Sequence, residues 1–245
     1  MFCKLIDELQ KIGVKSITFT GGGEPLMNPH FNTMATIAYE YGFRLGLITN
    51  GIFLDRVESE KFEFIRVSID AVTSKTYKDI KGTNVFDLVI DNLKLQMDCD
   101  MGLSFVVCDK NRHEAKLAQH LVHDMPWIKY IQIKPVYGES LAIDAVDKCV
   151  IKTDRYKIDS LLPCHIAGLV GIVGADGRVW YCCQKRGIEK FLLGSLRDRS
   201  FSEIWSNRYR LNDMMIEKSC KTCRYQNYVK ELYNPADTVR HKWFL

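Results

Sequence analysis

The sequence of 245 residues lacks the features of a membrane, secreted or nucleic-acid-binding protein. It has no run of eighteen apolar residues and therefore no candidate transmembrane helix. No secretory signal peptide is expected, because Met1 is followed within three residues by an amphipathic, charged helical pattern. The net charge is only +4 and no dense block of lysine and arginine occurs, so nothing favours nucleic acid as a partner. We therefore expect an ordinary globular protein of the cytoplasm, with no membrane partner.

Cysteine, by contrast, is abundant. The chain has nine cysteines, which is many for an intracellular protein, and they are unevenly spread along it. Because no secretory signal places the chain in an oxidising compartment, disulfide bonds are not expected. The cysteines instead favour the ligation of a metal ion or a metal cluster.

Strand-like and helix-like segments alternate along the first 136 residues. Apolar β-branched runs predict five strands, at residues 16–20, 43–49, 64–69, 103–107 and 128–133. Apolar positions at helical spacing predict helices at residues 3–12, 31–41, 85–97 and 114–123. This alternation predicts an α/β fold with a parallel sheet and right-handed crossovers.

Polar residues recur where each predicted strand ends. They are Glu24, Thr49, Asn50, Ser68, Asp70, Asp109, Asn111 and Lys134. Taken singly, each is explained as a helix cap or a turn former. Because the carboxyl ends of parallel strands meet at one edge, their recurrence at all five ends predicts a ligand site there.

The first of these strand ends carries three glycines, residues 21–23, which we call the glycine loop. Glu24 and Pro25 follow it, and Asn28 and Pro29 have the residue types that open a helix. Consecutive glycines let the backbone approach a ligand closely. An ordinary tight turn between strand and helix is the alternative interpretation.

Three of these strand ends together resemble a known family. The segments GGEP at residues 22–25, ITNG at 48–51 and VSID at 67–70 are similar to successive strand ends of radical S-adenosylmethionine (radical SAM) enzymes. The resemblance extends over nearly the whole chain. It implies a partial parallel (β/α)6-type barrel that holds S-adenosylmethionine at its C-terminal edge.

The resemblance also implies a role for each matching residue. Gly22, Gly23 and Glu24 would bind the methionine ammonium group of the cofactor. An ammonium group requires an acid and backbone carbonyls at close range, which agrees with these residue types. Ser68 and Asp70 would face the ribose or the carboxylate of the cofactor, with Thr49 and Asn50 nearby.

The chain departs from the family at its beginning. The family binds a primary 4Fe–4S cluster through Cys-x-x-x-Cys-x-x-Cys, which follows its first strand. This sequence has neither the cysteine triplet nor that strand. The resemblance therefore predicts a barrel that lacks its first strand, with the primary cluster expected only if a missing N-terminal segment is present. The alternative is a protein that no longer performs the chemistry. Cys3 stands alone and is interpreted as a buried apolar residue.

The last third of the sequence predicts a second cysteine-bearing region. Residues 169–173 and 178–181 are strand-like and are joined by Ala-Asp-Gly, which predicts a β-hairpin. Cys164 precedes the hairpin and Cys182 with Cys183 ends it, while Cys220 and Cys223 form a Cys-x-x-Cys knuckle. Two cysteines from each element give a four-thiolate site for zinc or an iron–sulfur cluster.

This region resembles the SPASM or twitch extension of radical SAM enzymes. Residues 192–205 are similar to the segment that such extensions carry between hairpin and knuckle. A helix is predicted at residues 201–207, opened by a capping box of Ser200 and Glu203. The resemblance implies one auxiliary 4Fe–4S cluster on Cys164, Cys182, Cys220 and Cys223, with Cys183 competing for the place of Cys182. The predicted organisation is a radical SAM-like domain at 1–136, a connection at 137–163 and the extension at 164–245.

The expected activity follows from the family. Reductive cleavage of S-adenosylmethionine would give a 5′-deoxyadenosyl radical that abstracts hydrogen from a peptide or small-molecule substrate. The implied protein partner is an electron donor such as flavodoxin or ferredoxin. The alternative function is a non-catalytic barrel scaffold or binding protein with a structural zinc or iron–sulfur knuckle.

Overall fold

The computed structural model of the chain describes residues 1–136, 150–152 and 169–207. The chain divides into two compact units. One comprises residues 17–36 and 44–155, and the other comprises residues 1–16, 37–43 and 156–245. The sequence-based boundaries at 136 and 163 stay predictions.

The first unit is built on a six-stranded sheet whose strands follow one another in chain order. The strands are β1 (Ser16–Phe19), β2 (Arg44–Thr49), β3 (Phe64–Ser68), β4 (Asp100–Val107), β5 (Ile128–Pro135) and β6 (Val150–Lys152). Neighbouring strands from β2 to β6 are parallel, which confirms the α/β fold class. The sequence predicted five of these strands. β6 was missed because it is three residues long and lies in the segment interpreted as an irregular connection.

Six α-helices occur in the described part of the chain. They are α1 (Phe2–Lys11), α2 (Phe31–Glu40), α3 (Ser74–Lys81), α4 (Phe86–Leu93), α5 (Leu117–Asp124) and α6 (Phe201–Ser206). α3 was not predicted, although its N-cap Thr73 and its left-handed C-cap Gly82 are both typical of helix ends. α2 begins at Phe31 as predicted, but Asn28 and Pro29 do not open it, because the Asn28 side chain accepts a hydrogen bond from the His30 N–H in a turn before the helix.

The two faces of the large sheet differ in chemistry. Right-handed crossovers between strands in sequential order all run on one side, so the connecting helices pack on one face only. The covered face carries fully buried apolar residues, including Leu47, Val67, Leu103 and Ile131. The opposite face, which we call the open face, carries in register Ile48, Arg66, Gly102 and Tyr130, and next to them Ser68, Ser104 and Gln132.

The second unit contains a three-stranded antiparallel sheet. Its strands are β7 (Ile172–Val173), β8 (Arg178–Trp180) and β9 (Leu192–Ser195). β7 and β8 form the predicted hairpin, and the turn contains Gly177 at a φ of +84°. β9, which was not predicted as a strand, pairs with β8. The predicted capping box is confirmed, since Ser200 and Glu203 exchange hydrogen bonds at the start of α6.

One small interpretation is corrected in this unit. Cys3 is exposed rather than buried. It lies ~200° around the helix from Leu5, at 100° per residue. Leu5 and Leu9 are partly buried and pack against the cluster of Val179, Phe201 and Ile204.

Candidate functional site

The glycine loop at the end of β1 presents backbone to solvent. All three of its glycines are exposed. A Cβ on Gly21 would lie 2.6 Å from the Gly23 carbonyl oxygen, so the turn itself requires glycine there. A Cβ on Gly23 would meet no atom within 4 Å, so this position borders open space. Within the described residues, the backbone groups of Gly22 and Gly23 make no backbone hydrogen bond, which leaves them available to a ligand.

Glu24 connects the glycine loop to the end of β2. Its Oε1 accepts hydrogen bonds from the Leu26 N–H at 3.1 Å and the Thr49 hydroxyl at 2.7 Å. Its Oε2 accepts one from the Asn50 N–H at 2.7 Å. Because a carboxylate has about four acceptor positions, one on Oε2 stays open toward a ligand in the described structure. The structure thus assigns Glu24 a positioning role, and its predicted contact with an ammonium group stays a prediction.

The side chains of Thr49 and Asn50 form the turn at the end of β2 by accepting hydrogen bonds from nearby backbone N–H groups. Thr49 is buried, and its hydroxyl accepts from the Gly51 N–H at 3.2 Å while it donates to Glu24. The Asn50 side-chain oxygen accepts from the Ile52 N–H at 3.0 Å. Both predicted residues therefore shape the turn and hold Glu24, and their backbone lies beside the glycine loop.

Ser68 and Asp70 are brought together at the end of β3. The Ser68 hydroxyl donates to Asp70 Oδ2 at 3.0 Å, and Lys81 Nζ forms an ion pair with the same oxygen at 2.5 Å. Asp70 Oδ1 accepts from the Val106 N–H at 2.7 Å. Asp70 has a φ of +53°, which costs strain in a residue other than glycine. Its three partners hold it in place, so its carboxylate fastens β3 to β4.

Two buried amides support this edge. Asn111 is fully buried, and its Nδ2 donates to the carbonyls of Asp70 and Val106 at 2.8 Å each. Asn92 Nδ2 donates to the carbonyls of Gly51 and Ile52, both at 2.9 Å. Asn111 was noted in the sequence only as a polar residue after a strand. Asn92 and Lys81 were missed, because each lies on a helix and its partner is set by the tertiary fold.

Glu114 is a further buried acid that sequence reasoning placed only at the start of a helix. It is 2% exposed, and its carboxylate accepts from the Val72 N–H at 2.7 Å and the Thr73 hydroxyl at 2.6 Å. Burial acts to raise the pKa of Glu114, but hydrogen bonds from Thr73, Val72 and Thr76 outweigh it, so the pKa lies below its ordinary value. Glu114 holds the loop that leads from Asp70 to α3.

The predicted thiolate site is described in part. Cys182 is in extended backbone at a φ of −150° and packs against the buried pair Tyr181 and Phe191. Cys183 begins a short 3-10 helix, Cys183–Lys185. Cys164, Cys220 and Cys223 lie outside the described residues, so the ligand set and the choice between Cys182 and Cys183 stay predictions.

Another thiol, that of Cys99, lies near two carboxylates. Burial, followed by the charges of Asp100 and Asp98, raises the pKa of the Cys99 thiol to about 12. This thiol therefore stays protonated at neutral pH and is a weak nucleophile. Across residues 1–136, 150–152 and 169–207, no helix is long and apolar enough to cross a membrane.

Comparisons with known proteins place this geometry in a family. Residues 3–119 match the Radical SAM superfamily, and residues 164–224 match SPASM, an iron–sulfur cluster-binding domain. A probable GTP 3′,8-cyclase of Saccharolobus solfataricus is 30% identical over 150 residues, which cover 56% of this chain and 48% of that protein. The chain thus spans about half the length of the curated relatives it matches.

Two solved structures share the fold. SuiB of Streptococcus suis has a TM-score of 0.67 at 12% identity, over 94% of this chain and 67% of that one. A structure described as native anSMEcpe with bound AdoMet has a TM-score of 0.62 at 13% identity, over 91% of this chain and 77% of that one. These likenesses show the fold.

The glycine loop fits the cofactor of this family. Its exposed backbone and the remaining acceptor position on Glu24 suit the ammonium end of S-adenosylmethionine, which requires oxygen acceptors at close range. S-adenosylmethionine and 4Fe–4S clusters are the cofactors of the two matched families. Residues 3–119 thus belong to the Radical SAM superfamily, and residues 164–224 match the SPASM iron–sulfur cluster-binding domain.

Proposed function

We propose that this chain binds S-adenosylmethionine at the glycine loop and serves in a radical SAM enzyme that abstracts hydrogen from a peptide or small-molecule substrate. When bound and reductively cleaved, S-adenosylmethionine supplies a 5′-deoxyadenosyl radical as the hydrogen-abstracting species. The observation that carries the proposal is the exposed backbone of residues 21–23, held beside the end of β2 by the hydrogen bonds that Glu24 accepts from Thr49 and Asn50.

The residues of this chain would bind and orient the cofactor. Carbonyls of the glycine loop would accept hydrogen bonds from its ammonium group, and Glu24 would add the negative charge that the ammonium group favours. The hydrogen bond of Glu24 to Asn50 keeps the loop in place before the cofactor arrives, which lowers the entropic cost of binding. Ser68, beside the Asp70–Lys81 pair, lies at the next strand end, where the rest of the cofactor would extend.

The SPASM extension would hold one auxiliary iron–sulfur cluster and take part in electron transfer or in substrate positioning. We propose flavodoxin or ferredoxin as the electron donor. The name of the relative from S. solfataricus supports a small-molecule substrate for that protein. For this chain we propose either a small molecule or a peptide as the substrate.

Gly23 offers a sharp test of cofactor binding. Alanine there adds a Cβ that touches nothing in the protein but occupies the space that the cofactor would enter. We expect Gly23→Ala to bind S-adenosylmethionine about tenfold more weakly and Gly23→Val more weakly still, at unchanged thermal stability. Calorimetric titration of S-adenosylmethionine into the chain measures this.

A control variant completes this test. Met27→Ala shortens a side chain that is 70% exposed in the turn after the loop, and it should bind like the parent chain. Equal affinity in Gly23→Val and parent, or no binding by the parent, would contradict the proposed function.

A further inference from the structure

Arg66 is a cation on the open face, and the described residues provide no hydrogen-bond acceptor for its Nε–H. It lies in the middle of β3, in register with Ile48 on β2 and Gly102 on β4. Its Nε is buried and has no hydrogen-bond partner. Among the ion pairs of the described residues none includes Arg66. The guanidinium group makes a cation–π contact with the Phe64 ring, whose centroid is 5.9 Å from the guanidinium carbon.

Such an arginine is costly unless something binds it. A buried N–H that has lost its water and gained no acceptor destabilises the fold. Ile48, in register with Arg66 on the neighbouring strand, is aliphatic, so a charged side chain is not needed for packing at this level of the face. The carboxylate closest in register is Asp100, which is paired with Phe64, and it forms no ion pair with Arg66 in the described part of the chain. Within the described residues nothing accepts a hydrogen bond from this donor, and we therefore look for the acceptor on a ligand.

Two aromatic rings lie near Arg66 on this face of the sheet. Gly102, its register partner, has no side chain, and a Cβ there would lie 2.3 Å from the Tyr130 ring. The Tyr130 ring therefore lies across Gly102 and forms an aromatic wall beside Arg66. Phe64 provides a second aromatic contact on the same strand. A planar anionic group would find a guanidinium donor between two aromatic rings.

The open face connects this place to the cofactor edge. Ser68 and Ser104, which are register partners, lie one step nearer the carboxyl ends of the strands than Arg66 and Gly102. The two pairs are two residues apart along each strand, which is ~6.6 Å, since a parallel strand rises ~3.3 Å per residue. Ser68 itself contacts the Asp70–Lys81 pair at the edge. A small molecule lying along the face could thus reach from Arg66 to the cofactor edge.

We propose that Arg66 is the anion-binding residue of the substrate site, and that its guanidinium group holds a carboxylate or phosphate group of the substrate. Arginine suits this role because it is always charged and its planar donors match either anion. The proposal rests on the proposed function, because the open face is the substrate side only if the cofactor binds at its edge.

The test uses the unpaired Nε–H as its reporter. In a ¹⁵N NMR spectrum of arginine side chains, the Arg66 signal is the one absent from Arg66→Lys. Inorganic pyrophosphate and succinate are titrated separately to ~50 mM, well above the ~1 mM dissociation constant of a weak contact. We expect this signal to move and saturate with at least one probe. The midpoint of thermal unfolding should rise with that probe in the parent chain but not in Arg66→Met.

A matched control and a second readout keep the outcomes distinct. Arg56→Lys removes an exposed arginine that stacks on Phe53 at 4.3 Å, and it should keep the anion response. Arg66→Met, which should bind the probe about ten- to a hundredfold more weakly, is expected to be as stable as the parent without anion, because it removes the unmet donor.

Each outcome decides the proposal. A response to pyrophosphate alone indicates a phosphate-bearing substrate, and a response to succinate alone indicates a carboxylate-bearing substrate. A response to both supports the anion site but does not distinguish phosphate from carboxylate. No movement of the Arg66 signal with either probe, or an equal thermal response in Arg66→Met, would overturn it. Binding of S-adenosylmethionine is measured in the same samples, so a chain that binds it but neither anion refutes only the role of Arg66.

Discussion

Replacing Glu24 by glutamine tests how the glycine loop is held. The carboxylate accepts three hydrogen bonds, two on Oε1 and one on Oε2. In Glu24→Gln one oxygen becomes an NH₂ group, and in either orientation that group faces a donor. If the oxygen keeps the place of Oε1, the bonds from Leu26 and Thr49 persist and the bond from Asn50 is lost. The variant therefore removes one charge-assisted hydrogen bond while it keeps the size of the side chain.

The expected magnitude follows from that single bond. A hydrogen bond to a charged group contributes about 1.5–3 kcal/mol. The Asn50 N–H has Glu24 as its acceptor at 2.7 Å, so its protection from hydrogen exchange depends on this bond. Partial exposure of Glu24 reduces the effect toward the lower value. We expect the Asn50 amide to exchange about tenfold faster in the variant, since 1.4 kcal/mol corresponds to a factor of ten.

Hydrogen exchange followed by NMR measures this amide directly. The Ile69 amide, which donates to the Ser104 carbonyl at 3.0 Å, reports on the sheet away from Glu24 and should exchange at the parent rate. Glu40→Gln, an exposed substitution at the end of α2, should leave both amides unchanged. An unchanged Asn50 amide in Glu24→Gln would refute the positioning role of Glu24. Faster exchange at Asn50 and Ile69 alike would indicate general destabilisation instead.

Two further predictions concern acid stability and the auxiliary cluster. Because the folded pKa of Glu114 lies below its unfolded value, its carboxylate stabilises the fold above the unfolded pKa, and this contribution is lost as the pH falls through the folded pKa. Glu114→Gln should therefore flatten the acid limb of a plot of unfolding midpoint against pH, and an unchanged limb would contradict this. After anaerobic reconstitution with iron and sulfide, Cys223→Ala should lose the broad visible absorption of an iron–sulfur cluster and Cys183→Ala should keep it. Loss in Cys183→Ala with retention in Cys182→Ala would identify Cys183 as the hairpin ligand, and stoichiometric zinc without iron uptake would make the site structural.

The repeating parts of the fold were predictable from sequence. Apolar β-branched runs located β1 to β5 because each is long enough to show its pattern, and the Ser200–Glu203 capping box is a local signal. β6 has three residues and too little pattern to recognise. α3 is polar along most of its length and buries only Thr76 and Tyr77, so its helical period carries little apolar signal.

The candidate site was predictable as a set of positions but not as a set of contacts. The glycine loop and the polar strand ends stand at one edge because parallel strands align their carboxyl ends. The sequence did not show that Asp70 pairs with Lys81, since that contact depends on where α3 lies. Nor did it show that the Nε–H of Arg66 finds no acceptor among the described residues of the open face, since that depends on the register of β3 with β4.

Glycine-selective ¹⁵N NMR tests the central claim, that S-adenosylmethionine binds at the glycine loop, most directly. The chain has sixteen glycines, which give few and separable amide signals. On addition of S-adenosylmethionine we predict saturable shifts at Gly22 and Gly23, with a smaller shift at Gly51 through the Glu24 network. Gly42 and Gly82, which end helices α2 and α3, should not move. Saturable shifts confined to glycines outside the loop, or no shifts at all, would contradict the account.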